Sequence, residues 1–375
     1  MRVPLCIPNI GKEEEKAVIE VLKSKWLVHG PKNDEFEKML ADCVGVKYAA
    51  SVNSCASALF LALKALGVKG EVILPSFTFA ASANVIEQAG CKPVFADIDG
   101  KTLNIDPKRM EKAITRKTVA VMPVHVGGLP ADMKIIMKIA KRHKLAVIED
   151  SAETIGGEAY GKTAGSFGIG CFSFFPTKNI TTGEGGMLTT NEEKIFSLAK
   201  IWAAHGISKS THGREKAGGG ARSAVVPGYN MRLSNLLAAI GVEQMKKLKK
   251  MNEARRKNAK YLSRGLKSLP ITLPYEPKGF KHVYQMYIIQ VAPERRDALL
   301  SHLKSREIGA TVFSDPPVHL QDYYARKYGR LYKGRLPVTE KAAKSNIILP
   351  MYPSMGKKEM DWVIKSVKEF FTGKK

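Results

Sequence analysis

Residues 71–98 read EVILPSFTFAASANVIEQAGCKPVFADI. EVILP is a short apolar run closed by a proline, the pattern of a strand buried on both faces. ASANVIEQAG carries helical periodicity, and KPVFADI is a second short apolar run. The alternation continues downstream, where TVAVMPV and LAVIED read as strands and PKRMEKAI and MKIIMKIAKRH as helices. Strands that alternate with helices in this way predict an α/β domain whose mostly parallel sheet is covered by helices. Ligands bind such sheets beyond the carboxyl ends of the strands, so the residues that follow each strand matter most. Those residues are Phe77 and Phe79 after EVILP, His125 after TVAVMPV and Asp150 at the end of LAVIED.

Further along, residues 172–186 read FSFFPTKNITTGEGG and place Lys178 between an aromatic strand and a glycine-rich turn. Pro176 cannot donate to a ladder, and Gly183, Gly185 and Gly186 allow left-handed backbone or close approach. A lone lysine is ordinarily a solvated charge. At a strand end, after aromatic residues and before a tight turn, Lys178 is expected to be partly desolvated and fixed in direction. Desolvation lowers a lysine pKa, which suits an imine-forming amine.

Upstream, KYAASV reads as a strand and ALFLALKALG as a helix, joined by Asn53-Ser54-Cys55-Ala56-Ser57. Asn53 and Ser54 are favourable helix N-caps and Gly67 a favourable stop. Free amides at the positive end of a helix accommodate a phosphate, although such a turn taken alone is commonly just a cap. The same rim is thus expected to gather an aromatic ring, an imidazole, a carboxylate, a lysine and a phosphate cup. Pyridoxal phosphate requires a Schiff-base lysine, a carboxylate on the pyridine nitrogen, a phosphate cup and a ring stacked on its face.

The chain has 375 residues, 44% of them hydrophobic, which is enough for one large and one smaller domain. No apolar run reaches a membrane span, and the proline-broken start MRVPLCIPNIGKEEEK does not read as a signal peptide. Five widely spaced cysteines without a CxxC pair read as reduced cytoplasmic thiols, with neither a disulfide framework nor a metal site. The net charge of +25 admits nucleic acid or an acidic small substrate as partner. Its lysines concentrate in helical stretches such as MKKLKKMNEARRKNAK, where a solvated face is the common meaning, and no nucleic-acid-binding motif accompanies them. KEEEKAVIEVLKSK reads as an amphipathic N-terminal helix with Ala17, Ile19, Val21 and Leu22 near one face. The basic, glycine-rich residues 207–228 read as a mobile loop over the site, and a helix from Leu236 to about Leu266, capped by Ser234, leads into a small α+β domain. The expected division is residues 1–245, a large cofactor-binding domain with an N-terminal arm, and 246–375, the small domain.

FSFFPTKNITTGEGG, VIEDSAETIGG, VNSCASALFLALKALG, EVILPSFTFAASAN, PVHVGGLPADM and PGYNMRLSNLLAAIG together resemble the DegT/StrS-type sugar-nucleotide aminotransferases, fold-type I pyridoxal-phosphate enzymes. The resemblance runs in order from about residue 5 to the C-terminal helix. It implies that Lys178 forms the Schiff base and shuttles the proton, and that Asp150 keeps the pyridine nitrogen protonated. It implies that Phe79 stacks on the ring and that Glu153 lies near the phenolic oxygen, where the family usually has Gln or His. The implied phosphate cup comprises the amides of Ala56 and Ser57, the hydroxyls of Ser57 and Ser173, and Asn230 of a neighbouring subunit in a homodimer with shared sites. Ala56 replaces a common Thr, Gly127 a common Tyr, and Phe175 a His or Tyr. His125, Arg222 and His319 are the expected substrate contacts, with Arg214 and Lys216 adding charge for a diphosphate.

The implied reaction takes an amino group from L-glutamate to a nucleoside-diphosphate keto sugar, with C4 of a 6-deoxyhexose preferred, partly because HGISKS resembles relatives acting there. The product would be an amino sugar for a cell-surface polysaccharide or related glycan. A 3-keto-sugar or keto-cyclitol aminotransferase would share the catalytic residues. A related dehydratase branch lacks the lysine that this chain retains. A non-catalytic regulator or a nucleic-acid-binding module on the same fold is the alternative of another class, against which Lys178 and Asp150 stand.

Overall fold

A computed structural model describes residues 1–208 and 223–373. Two helices, α1 (Lys12–Ser24) and α2 (Pro31–Val44), precede strand β1 (Tyr48–Val52) and helix α3 (Cys55–Leu66). The alternation read from the sequence follows as β2 (Glu71–Pro75), α4 (Ala80–Gln88), β3 (Lys92–Ala96), α5 (Pro107–Lys112), β4 (Thr118–Val121), α6 (Met133–His143) and β5 (Ala146–Asp150). A short hairpin, β6 (Glu158–Ala159) and β7 (Lys162–Thr163), leads to β8 (Ile169–Ser173) and β9 (Gly186–Thr190), and α7 (Glu193–Ala203) closes the sheet. The seven-stranded sheet has the order β1-β9-β8-β5-β4-β2-β3. Its pairings from β3 to β8 are parallel, and β9 runs antiparallel to both β8 and β1. With β9 reversed between them, β1 and β8 point the same way, so the N-terminus of α3 opens on the same rim as Asp150 and the Lys178 turn.

Alternate residues of the parallel strands enter different cores, as the two-sided apolar runs require. Val72, Leu74 and Ile148 pack with α3 and α7, whereas Ile73, Val121 and Val147 pack with α6. β8 is IGCFS and its ladder ends at Ser173, three residues before Pro176. The aromatic continuation is therefore turn rather than strand. Phe174 is buried against Phe36 at 4.9 Å, and Phe175 is exposed. In α1 the buried positions are Glu14, Ala17 and Val21, facing the long helix; Ile19 and Leu22, expected on that face, are exposed.

The long helix α8 (Asn235–Leu266) begins at Ser234, whose hydroxyl accepts from the Leu237 amide at 3.3 Å. After it come β10 (Phe280–Lys281), which pairs with β6, then β11 (Tyr287–Gln290), α9 (Pro293–Ser305), α10 (Asp322–Tyr332), α11 (Pro337–Ser345), β12 (Asn346–Leu349) and α12 (Lys357–Thr372). β11 and β12 form an antiparallel pair sharing a core with α9, α12 and the last turns of α8. The expected boundary at 245/246 falls inside α8. The two halves also interleave: Val3 pairs with Ile308 in the C-terminal core, while Tyr324 and Tyr328 of α10 belong to the core of the main sheet. No helix among the described residues is long and apolar enough to cross a membrane.

Candidate active site

The turn that carries Lys178 is built by hydrogen bonds across its two arms. Phe174 donates to Gly185 O at 2.9 Å and accepts from Thr182 N at 3.0 Å, and the Lys178 amide closes a tight turn on Phe175 O. Gly183 supplies a φ of +84°, and a Cβ on Gly186 would lie 2.3 Å from the Ser54 carbonyl carbon, so glycine lets the strand approach the cap of α3. Both neighbours of the lysine are pinned. Thr177 O accepts from Gln285 Nε2 at 3.0 Å, and Asn179 Nδ2 donates to Asn252 Oδ1 at 2.6 Å and to Val283 O at 3.1 Å. Lys178 thus has its direction set from α8 and from residues 283–285.

Its Nζ lies 3.5 Å from Glu153 Oε1. The second oxygen of Glu153 accepts the Gly127 amide at 2.8 Å. Two positions that depart from the family pattern, Gly127 and Glu153, are therefore in direct contact, and together they set a carboxylate against the amine.

Asp150 ends β5 and is buried, with no ion pair among the described residues. Ser82 Oγ donates to its Oδ2 at 2.7 Å and the Ala152 amide to its Oδ1 at 3.2 Å. Burial raises the carboxyl above the ordinary aspartate value; the Ser82 and Ala152 donors and the positive charge of Lys178 oppose that rise.

At the N-terminus of α3, the Ser57 amide donates to Ser54 Oγ at 3.1 Å, and Ser57 Oγ donates to Asn53 Oδ1 at 2.6 Å. The Ser57 amide, expected to face a phosphate directly, serves here as the cap contact, and the Ala56 amide is one of the first-turn N–H groups without an intrahelical partner. Ser173 Oγ accepts from the Phe175 amide at 3.4 Å, which leaves its own proton free to donate. Ala56 and Ser57 border a cleft of about 330 Å³ shared with Tyr229 and Met231. Phe79 stands at the start of α4 with 73% of its surface exposed.

Other expected contacts lie elsewhere. His125 is fully buried: its Nδ1 accepts from the Ala131 amide at 3.0 Å, so Nε2 carries the proton and donates to Glu149 at 3.1 Å. Both ring nitrogens are spent behind the rim, which corrects its assignment as a substrate contact. His319 is also fully buried and is corrected for the same reason. Its amide donates to Ser76 Oγ at 2.9 Å, so the Ser76 proton goes to Nδ1 at 2.6 Å, and Nε2 faces Glu340 at 3.3 Å. Burial lowers its pKa. Asn230 is exposed, its backbone paired with Ala204, and Arg222, with Arg214 and Lys216, lies outside the described residues.

Sequence reasoning did not reach Ser82, Thr78, Asn179, Asn252 and Gln285, because their partners lie tens of residues away. Ser82 does stand inside a quoted motif, as a small polar residue in a largely apolar helix.

These groups fit pyridoxal phosphate. An exposed ring, a first-turn amide at a helix start, a half-buried amine and a buried acid with no ion pair among the described residues are what that cofactor would complete. A strand-end lysine and a buried aspartate on this sheet define a fold-type I pyridoxal-phosphate aminotransferase. Over residues 8–368 the chain matches the DegT/DnrJ/EryC1/StrS aminotransferase family, to which it belongs. It is 40% identical to the spore coat polysaccharide biosynthesis protein SpsC of Bacillus subtilis over 99% of this chain and 97% of that protein. Its structure superposes on DesV of S. venezuelae with a TM-score of 0.92, at 32% identity and 98% coverage of both chains. NtdA of Bacillus subtilis, solved with its cofactor PMP bound, matches at 0.87 and 30% identity, over 97% of this chain and 83% of NtdA.

Proposed function

We propose that the protein transfers an amino group from L-glutamate to the keto group of a nucleoside-diphosphate sugar, with C4 of a 6-deoxyhexose as the preferred position and glycan synthesis as the destination. The observation that carries this reading is the Lys178 amine, 3.5 Å from Glu153 Oε1 at the rim where Asp150 ends its strand. When bound, pyridoxal phosphate supplies the electron sink that makes the Cα proton of an amino acid removable. Lys178 Nζ, its loop held by Gln285 and Asn179, would accept the Cα proton as base and give it back as acid on the same face. Glu153, fixed by the Gly127 amide, offers the amine a proton acceptor. Asp150 would hold a positive ring nitrogen by charge. Ala56 and Ser173 would hold phosphate oxygens, joined by Ser57 once its hydroxyl turns from Asn53, and Phe79 would cover one face of the ring.

Asn230 and Arg222 complete the proposed site, the former from the partner subunit of a homodimer. The exposed apolar side chains Ile7, Ile10, Ile19, Leu22, Leu27 and Val28 in the N-terminal segment support such an interface. Five free thiols suit a reducing cytoplasm.

Absorption spectra of the reconstituted protein, taken before and after excess L-glutamate, test the first half-reaction. Bleaching of the visible band in the wild type and not in Lys178→Ala is the expected result. A retained band would remove glutamate as donor. Keto sugar nucleotides and a keto-cyclitol, offered to the bleached protein, then separate the acceptor classes by which one restores the band.

A further inference from the structure

Asp150 is a buried carboxylate asked to stay ionised, and the short segment that carries Phe79 also supplies its strongest neutral donor. Ser82 is 1% exposed and one turn into α4, and its Oγ lies 2.7 Å from Asp150 Oδ2. Thr78, 2% exposed, places its Oγ1 2.9 Å from the same Ser82 oxygen. A serine hydroxyl has one proton, and an ionised carboxylate has none to give. The Ser82 proton is therefore committed to Asp150, and Thr78 must donate to Ser82. The chain of donors runs in one direction, Thr78 to Ser82 to Asp150. Its first member is anchored in turn, because Thr78 O accepts from Ser314 Oγ at 3.1 Å, across the seam to the C-terminal half.

We propose that Ser82, oriented by Thr78, is a positioning residue that keeps the Asp150 carboxylate ionised and aimed at the ring nitrogen of the cofactor. The inference rests on the reading of the site as a pyridoxal-phosphate site. The other contacts to Asp150 do not replace this one. The Ala152 amide is longer, at 3.2 Å, and the Cys55 thiol is 4.0 Å away. The titratable groups facing Asp150 are Lys178 and His125, with the Cys55 and Cys171 thiols behind it. Burial drives the carboxyl up and the Ser82 donor acts against it, so removing the donor moves the titration further upward.

The test titrates apoenzyme with pyridoxal phosphate between pH 5 and 8 in wild type, Ser82→Ala and Thr78→Val, alongside melting temperatures. Ser82→Ala is expected to move the acid limb of binding up by about one pH unit, so that it binds the cofactor about tenfold more weakly on the acid side of the limb and close to wild type above it. Thr78→Val should shift the limb in the same direction by less. A variant that melts earlier but keeps the wild-type limb would overturn the proposal, since that is the signature of packing alone. If Ser82→Ala does not fold, an unmoved limb in Thr78→Val overturns it equally. Failure of the wild type to bind pyridoxal phosphate would bring down the cofactor reading as well, which separates the two failures.

Discussion

Two regions of this protein are rich in polar side chains, and they use them in opposite ways. At the rim, Lys178, Ser173 and Phe79 keep exposed surface or an unspent donor. In the interior and at the seam between the two halves, polar groups are buried and committed. Arg255, 1% exposed, donates through Nη1 to the carbonyls of Tyr284, Gln285 and Met351, and His125 and His319 each use both ring nitrogens. Polarity and position after a strand do not separate the regions, because His125 follows β4 much as Asp150 ends β5. What separates them is whether local partners have already consumed the hydrogen-bonding capacity.

Substitutions at the rim should cost activity, and those at the seam should cost stability. The largest expected effect is that of Lys178→Ala, a fall in turnover of about 10⁴-fold or more with a melting curve close to wild type. Asp150→Asn comes next, at about 10² to 10³-fold in kcat, because it removes a charge-assisted contact and keeps the shape. A near-normal rate would move Asp150 to the seam side of the comparison.

Arg255→Met should invert the pattern. It strands three carbonyls and is expected to cost about 2–4 kcal/mol in urea unfolding, with kcat of the folded fraction unchanged. His125→Gln should cost about 1–3 kcal/mol and leave the sugar-substrate KM unchanged, so a raised KM with intact stability would return His125 to the rim.

The smallest effect is a pH slope. Burial and the charge of Arg256 hold His282 at about 3, below its ordinary 6.5. The unfolded chain then binds the extra proton first. The stability this residue contributes is complete above pH 6.5 and drains as pH falls toward 3. His282→Gln should flatten the difference between urea midpoints at pH 7.5 and pH 5.5, and an unchanged slope would show that other groups carry it.

Much of the sheet was legible because its signal is local. Short two-sided apolar runs between helices can be read wherever both faces of a strand are covered, and α8 carried its own cap in Ser234. The elements read less well were those whose meaning depends on distant chain. Phe174 and Phe175 continue an aromatic run, yet they belong to a turn, because Gly185 and Thr182 take the hydrogen bonds of Phe174, and Ser173 and Lys178 those of Phe175. Ile19 and Leu22 are three apart and make a helical face of their own, yet α8 covers the neighbouring stripe of Ala17 and Val21. The 245/246 position lies within α8, a continuous helix whose two ends enter different cores.

By itself, the sequence determined the sheet class, the strand-end placement of Asp150, the turn holding Lys178 and the small-residue start of α3. Each of those depends on spacing within a few residues. The tertiary structure alone decided that Gly127 and Glu153 act as a pair, that Ser82 donates to Asp150, and that His125 and His319 are spent in the interior. Apart from the Ala131 contact of His125, those outcomes depend on groups that meet across 21 to 243 residues of chain. A buried hydrogen bond is governed by distance in space, and sequence separation carries no information about that.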